Sequence, residues 1–264
     1  INEMLTVISP AKTLDFASAP RVRKATRPRF LERSAQLVED ARSLSPDDIR
    51  ELMGVSEKIA ALNHQRFLDW QRPFNLDNAR QALFAFRGDV YTGLDADSLD
   101  QGQLGYAQQR LRILSGLYGI LRPLDLIQPY RLEMGLKFAN RGGASLYEFW
   151  GESITAELNR ELKKAGSQVL VNLASNEYFQ AVKPRALNAG IITPVFRDLK
   201  GGNYKIISFF AKQARGRMAR FIIDRQLEDP ELLKEFRADG YRYNKAASTA
   251  SELVFTRDAP PAAP

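Results

Sequence analysis

Apolar positions in this chain follow two different periods. Phe30, Leu37, Val38, Ala41 and Leu44 fall on one helical face. Leu104, Ala107, Leu111, Leu114 and Tyr118 mark a second face, and Ile154, Leu158 and Leu162 a third. Between these patterns lie short β-rich runs at residues 5–8, 82–86, 169–172, 191–196, 204–210 and 252–256. No repeat, low-complexity block or long linker divides the 264 residues. The pattern predicts a single α/β mixed (α+β) domain over 4–258, with a mixed sheet and flanking helices. Residues 259–264 are all Pro or Ala and are expected to form a disordered tail.

Polar residues gather where the β-rich runs end. Ser9 and Lys12 follow the first run, Asp89 and Tyr91 the second, and Ser175, Glu177 and Tyr178 the third. Lys212 and Arg215 follow the fifth. In α/β sheets ligands bind outside the carboxyl ends of strands, so these clusters predict one shared cleft. The alternative is that they are only loop starts and helix caps. A further polar set lies in residues 114–134. There Gly116, Gly119, Pro123 and Pro129 break a helical pattern, and Arg122, Asp125, Tyr130, Arg131 and Glu133 fill the breaks. Lys12, Asp89, Arg122 and Glu133 are the candidates for catalytic or binding roles and are expected to converge in space. Cations beside carboxylates suit a nucleotide or a flipped base, and equally suit salt bridges that only fix the fold. No P-loop, dinucleotide fingerprint or nucleophile elbow accompanies them.

Residues 45–70 predict two helices around a tight turn. Ser45, Pro46, Asp47 and Asp48 form a helix start. Gly54, Ser56 and Lys58 then resemble the turn of a helix-hairpin-helix element, which holds a nucleic-acid phosphate on backbone amides. The second helix is expected to bury Ile59, Leu62, Phe67 and Trp70, with His64 as a surface or packing residue. A second basic surface is expected at 211–225. Ala214, Met218, Phe221 and Ile222 would face inward there, and Lys212, Arg215, Arg217 and Arg220 outward.

Composition narrows the chemistry. The chain has no Cys and one His. Thiol peroxidase chemistry, disulfide sensing and thiolate-held metal clusters are therefore excluded. No metal site and no cofactor are assigned. A net charge of +7 favours an anionic partner, with nucleic acid first and a small nucleotide second. No apolar run approaches the ~20 residues of a membrane span, and no signal-peptide pattern opens the chain, which predicts a cytoplasmic protein without membrane contact.

Four stretches resemble a known family. They are Ser9-Pro10-Ala11-Lys12-Thr13-Leu14-Asp15, residues 87–94, residues 172–178 and residues 208–216. Together they resemble the YaaA family of bacterial peroxide-stress-resistance proteins, from about Met4 to about Arg257. The resemblance places Ile1, Asn2 and Glu3 ahead of the natural start. It implies protection against hydrogen peroxide, a link to lower free iron, and DNA binding, and it brings no settled reaction. The expected function is thus sequence-independent binding of duplex or distorted DNA that limits oxidative damage. The alternative is an enzyme acting on a nucleotide, nucleobase or nucleic acid through the cleft. An iron-sequestering protein ranks last, because the sequence offers no helical Glu-x-x-His pair.

Overall fold

The computed structural model describes residues 3–263. Its centre is the strand β1 (Met4–Ile8), whose five residues are all buried. A strand covered on both faces reads as an unbroken apolar run, as this one does. Parallel neighbours flank it: β2 (Leu111–Ser115) on one side and β4 (Val169–Leu173) on the other. Beyond β2 lies the antiparallel β3 (Gly119–Leu121). Beyond β4 the parallel strands β5 (Gly190–Lys200) and β8 (Glu252–Arg257) extend the sheet. Antiparallel β6 (Asn203–Lys205) and β7 (Arg242–Tyr243) complete it on β5 and β8. The fold is α/β with a mixed sheet, as the sequence predicts.

Helix α1 (Leu31–Arg42) packs on α3 (Glu57–Asp69), which follows α2 (Pro46–Met53). Later come α4 (Asp89–Leu94), α5 (Gln101–Arg110), α6 (Ser153–Ala165), α7 (Asn176–Phe179) and α8 (Ser208–Arg225). Helix α8 crosses α4 at two glycines. A Cβ on Gly93 would lie 2.3 Å from the Gln213 carbonyl oxygen, and one on Gly216 only 1.8 Å from that of Val90. The two backbones therefore touch with no side chain between them, and this contact fixes the distance between the two helices. Buried polar groups of the aromatic core are paired. Trp70 donates to the Tyr118 hydroxyl at 3.1 Å and Trp150 to the Gly116 carbonyl at 2.9 Å.

Three expected elements differ. Residues 82–86 are not a strand: Ala82–Ala85 is one helical turn. Its first amides donate to the Asp125 and Pro123 carbonyls at 2.8 and 3.0 Å, so a tertiary bond replaces the ladder. The expected helical face through 104–118 ends at Arg110, and Leu111 and Leu114 belong to β2. A short buried run fits either period by chance. Of 204–210 only the beginning is strand. Gly201 and Gly202, at φ 60° and 80°, turn the chain back as the short β6, and α8 starts at Ser208. Residues 258–263 run exposed beyond β8. Ile1, Asn2 and Pro264, parts of the expected leader and tail, lie outside the described residues.

Candidate functional site

A cleft of about 510 Å³ opens where β1 and β4 end side by side. Ser9 to Thr13 leave β1 and form one rim. Ser175 caps α7 just after β4, accepting from the Tyr178 amide, and brings Glu177 and Tyr178 to the opposite rim. Asp89, the first residue of α4, and Lys212 and Arg215, one turn apart on α8, form a third wall. The glycine contact between α4 and α8 sets the spacing within that wall. Ser9 ties two rims together. Its hydroxyl accepts from the Ser175 amide at 2.8 Å, and its carbonyl accepts from the Tyr91 hydroxyl at 2.9 Å.

Glu133 enters from the loop that follows β3. Its Oε1 lies 3.5 Å from Lys12 Nζ and 3.1 Å from an Arg131 guanidinium nitrogen. Its Oε2 is buried and has no hydrogen-bond partner among the described residues. Arg215 is half-buried and makes no ion pair or hydrogen bond among the described residues. Burial pushes its guanidinium below the usual range, because a charged group is stripped of water without compensation. Tyr178 is pushed well above the ordinary phenol range, first by burial and then by Tyr130, Glu177 and Glu133 nearby. It stays a neutral donor at any physiological pH.

Of the four expected cleft residues, Lys12, Asp89 and Glu133 come together and Arg122 does not. Arg122 lies in a separate hollow beside Arg27, Arg112 and Glu157. Its Nε donates to Asp125 Oδ1 at 3.1 Å and its Nη2 to the Arg27 carbonyl at 2.8 Å. Asp125 also accepts from the Thr26 hydroxyl at 2.6 Å. The Arg122–Asp125 pair fastens residues 26–27 to the turn after β3, which is a structural task.

The helical hairpin forms as expected. Ser45 Oγ accepts from the Asp48 amide at 3.1 Å, and Asp48 accepts from the Ser45 amide at 2.9 Å, a closed capping box. Gly54 ends α2 at φ 62°, and nothing lies within 4 Å of where its Cβ would be. Ser56 caps α3, accepting from the Ile59 amide at 3.2 Å. The buried side of α3 is Ala60, Asn63 and Phe67, whereas Ile59 and Leu62 are 37% and 49% exposed, contrary to the expected stripe. Trp70, just past the helix, is buried as expected, and His64 is half-buried. Around the turn, Asp47, Asp48, Glu51 and Glu57 stand against Arg50 and Lys58. Arg50 lies 3.9 Å from both Asp47 and Glu57, so Lys58 is the cation left facing water.

The four cations of α8 do not share a face. Lys212 and Arg215 line the cleft. Arg217 pairs with Asp239 at 3.2 Å. Arg220 pairs with Asp224 at 2.7 Å and donates to the carbonyls of Leu94 and Asp95 at 3.0 and 2.7 Å, closing the end of α4. Phe221 is only half-buried, because the inward stripe runs through Ala211, Ala214, Met218, Ala219 and Ile222.

A family model described as peroxide stress protein YaaA matches residues 4–247. The chain belongs to that family. It is 60% identical over 257 residues to a UPF0246 protein of Cellvibrio japonicus, covering 97% of this chain and 100% of the relative. A UPF0246 protein of Teredinibacter turnerae is 58% identical, with 96% and 99% covered. One from Aliivibrio fischeri is 58% identical, with 97% and 98% covered. The segments that resemble YaaA proteins in sequence are largely those that build the cleft: residues 9–15, 87–94, 172–178 and 208–216. Sequence reading missed the reason for Gly93 and Gly216, which the helix crossing supplies. Their recurrence inside two otherwise polar motifs was the available signal. It also missed Arg87, which lines the cleft while bridging Asp15 and Asp97 at 3.3 and 3.1 Å. No helix among the described residues is long and apolar enough to cross a membrane.

Proposed function

We propose that this peroxide stress protein is a cytoplasmic DNA-binding protein that limits oxidative damage, holding duplex or distorted DNA without reading its sequence. The cleft takes a single nucleotide displaced from a distorted site. One observation carries this reading: Arg215 and Lys212 stand without partners among the described residues on a cleft wall they share with Asp89, and Glu133 faces the same space from another wall. Unpaired cations attract phosphate, and carboxylates accept from base and ribose edges. The net charge of +7 draws the protein to polyanions at long range. The open turn at Gly54 and the exposed Lys58 supply a further phosphate contact at the hairpin.

The same cleft supports a second reading, an enzyme acting on a nucleotide, nucleobase or nucleic acid. Lys12 and Glu133 form an ion pair at 3.5 Å beside an unbonded carboxylate oxygen, and Asp89 lines the same cleft, so carboxylates stand in reach of a bound substrate's protons.

Fluorescence anisotropy with labelled duplexes tests the binding. Log K should fall linearly with log salt, at about −0.9 per phosphate contacted. A duplex with an unpaired nucleotide should bind more tightly than a perfect one. Lys58→Glu and Lys212→Glu should each weaken binding to all sequences alike. Absence of duplex binding at low salt, or affinity indifferent to salt, would reject the reading.

A further inference from the structure

Glu133 Oε1 pairs with Lys12 and Arg131, yet the cleft leaves Arg215, Lys212, Asp89 and the second oxygen of Glu133 without partners among the described residues. Arg215 and Lys212 project from one face of α8, separated by one turn, and neither makes an ion pair among the described residues. Glu133 reaches in from another wall with its side chain only 12% exposed and Oε2 unbonded. Asp89 likewise has no partner among the described residues. A buried charge without a partner is destabilising, so an arrangement that leaves both signs open fits a ligand carrying both complements. Such a ligand has an anionic end and, some distance away, a hydrogen-bond-donating edge.

Size narrows the class. About 510 Å³ lies well within the range of small-molecule sites, and one inorganic ion or a small amino acid would leave most of it empty. Pro10, Val90 and Leu173 give the space between the polar walls an apolar lining. Such an apolar lining suits a flat heterocycle.

Resting on the reading of the cleft as a nucleotide site, we propose that it binds a nucleoside 5′-monophosphate whose base carries an exocyclic amine. The phosphate sits on Arg215 and Lys212, the amine donates to Glu133 Oε2, and Asp89 accepts from the ribose hydroxyls. The nucleotide comes either free or as one residue turned out of a strand: both present a phosphate and the amine, and only the free nucleotide also offers its hydroxyls to Asp89.

Calorimetric titration of the full chain tests this with cytidine 5′-monophosphate, uridine 5′-monophosphate, cytidine and inorganic phosphate. The cytidine and uridine nucleotides differ at one position, an N–H₂ donor against a carbonyl acceptor. The cytidine nucleotide should bind about tenfold or more tightly than the uridine nucleotide, since a charge-assisted hydrogen bond is replaced by repulsion. Cytidine without its phosphate should lose about tenfold or more, as should Arg215→Gln toward the intact nucleotide. Glu133→Gln should erase the preference between the two bases while keeping the dependence on phosphate. Lys212→Gln, at an exposed position, provides a second phosphate-wall variant whose folding is not in question, and thermal melts confirm the fold of each.

Failure of both nucleotides to bind while duplex binding persists overturns the nucleotide site and leaves the DNA reading standing. Nucleotide binding without duplex binding does the reverse. Inorganic phosphate binding as tightly as the nucleotide, or nucleotide affinity unchanged in Arg215→Gln, Lys212→Gln and Glu133→Gln, overturns the proposed contacts. Competition between the cytidine nucleotide and a duplex bearing an unpaired cytidine assigns the site to a displaced strand residue. Binding without such competition assigns it to the free nucleotide.

Discussion

The helical hairpin and the cleft are both polar, both turn-rich and both readable as phosphate sites, yet they treat their polar groups in opposite ways. In the hairpin most have a local partner: Ser45 and Asp48 cap each other, Ser56 holds the Ile59 amide, and Arg50 sits between Asp47 and Glu57. In the cleft Arg215, Asp89 and Glu133 Oε2 are left open among the described residues although opposite charges line the same space. Local satisfaction is what a stable helix boundary needs. Open groups of both signs in one concave space cost stability and are retained where a ligand completes them.

The two regions also use glycine differently, and this gives the largest expected effect. Gly216→Ala forces a Cβ to within 1.8 Å of the Val90 carbonyl oxygen, a backbone atom that cannot swing aside. Overpacking of a rigid contact typically costs about 1–3 kcal/mol, and this one should reach about 3 kcal/mol or more because two helices must separate. Urea denaturation measures the loss. A variant as stable as the parent would show that the α4–α8 crossing is not the fixed wall described here.

Asp125 comes next, and separates the Arg122 hollow from the cleft. Asp125→Ala removes acceptors from Thr26, the Arg122 amide and the Arg122 side chain, at a cost of about 2 kcal/mol for groups left unpaired. Burial raises the carboxyl above 3.8, against the pull of Arg122 and Thr26. A carboxyl raised in the folded state contributes stability that is fully present below its unfolded pKa and is lost as pH rises through the folded one. The stability difference between parent and variant should therefore be widest below pH 3.8 and narrow as pH rises through the raised value. Denaturation midpoints across that range decide the sign. A difference that widens with pH would mean the arginine pair, not burial, governs this group.

Gly54→Ala should cost only about 1 kcal/mol. The position needs a left-handed backbone, φ 62°, but nothing occupies the space a Cβ would enter. Gly54→Val, with the fold intact, should also weaken DNA binding by holding a phosphate off the turn. Undiminished duplex affinity in that variant would reduce the hairpin to a structural corner and leave DNA contact to the cleft and α8.

Much of this arrangement was legible in the sequence, and the exceptions have causes. Strands β1, β4, β5 and β8 and helices α1, α2 and α6 follow from periodicity and caps, because in each the local pattern agrees with the tertiary environment; α3 follows from its cap, but its apolar residues Ile59 and Leu62 do not face the core. Lys12 was readable at the cleft because it follows β1 at the edge where parallel strands end, whereas Asp89 opens α4 and Glu133 lies on a loop, so their arrival there depends on tertiary packing. Arg122 was misplaced because charge in a turn looks the same whether it faces a ligand or, as here, the Asp125 carboxylate and a backbone carbonyl four residues before α1 begins. The split of the α8 cations was hidden for a similar reason. Arg217 and Arg220 are answered by Asp239 and by the end of α4, both distant in sequence. The glycine crossing needs two helices in contact before it has any meaning.

The smallest expected effect is the one that sharpens the contrast most. Arg215→Gln removes a half-buried charge that no described residue neutralises. An ordinary structural arginine loses ion pairs and hydrogen bonds when replaced, and the fold weakens. Here there are none of these to lose among the described residues, and the uncharged amide is easier to desolvate than the guanidinium. The aliphatic stem shared by both residues keeps most of the packing against α8's neighbours. The change in unfolding free energy should therefore lie within about 0.5 kcal/mol of zero, or fall slightly on the stabilising side. Urea denaturation at neutral pH measures it, and Arg220→Gln serves as the matched control on the same helix. That control should be clearly destabilised, because Arg220 holds the Leu94 and Asp95 carbonyls and pairs with Asp224. If the two variants lose the same stability, Arg215 has a structural partner after all, and the argument that the cleft keeps its charges open for a ligand fails with it.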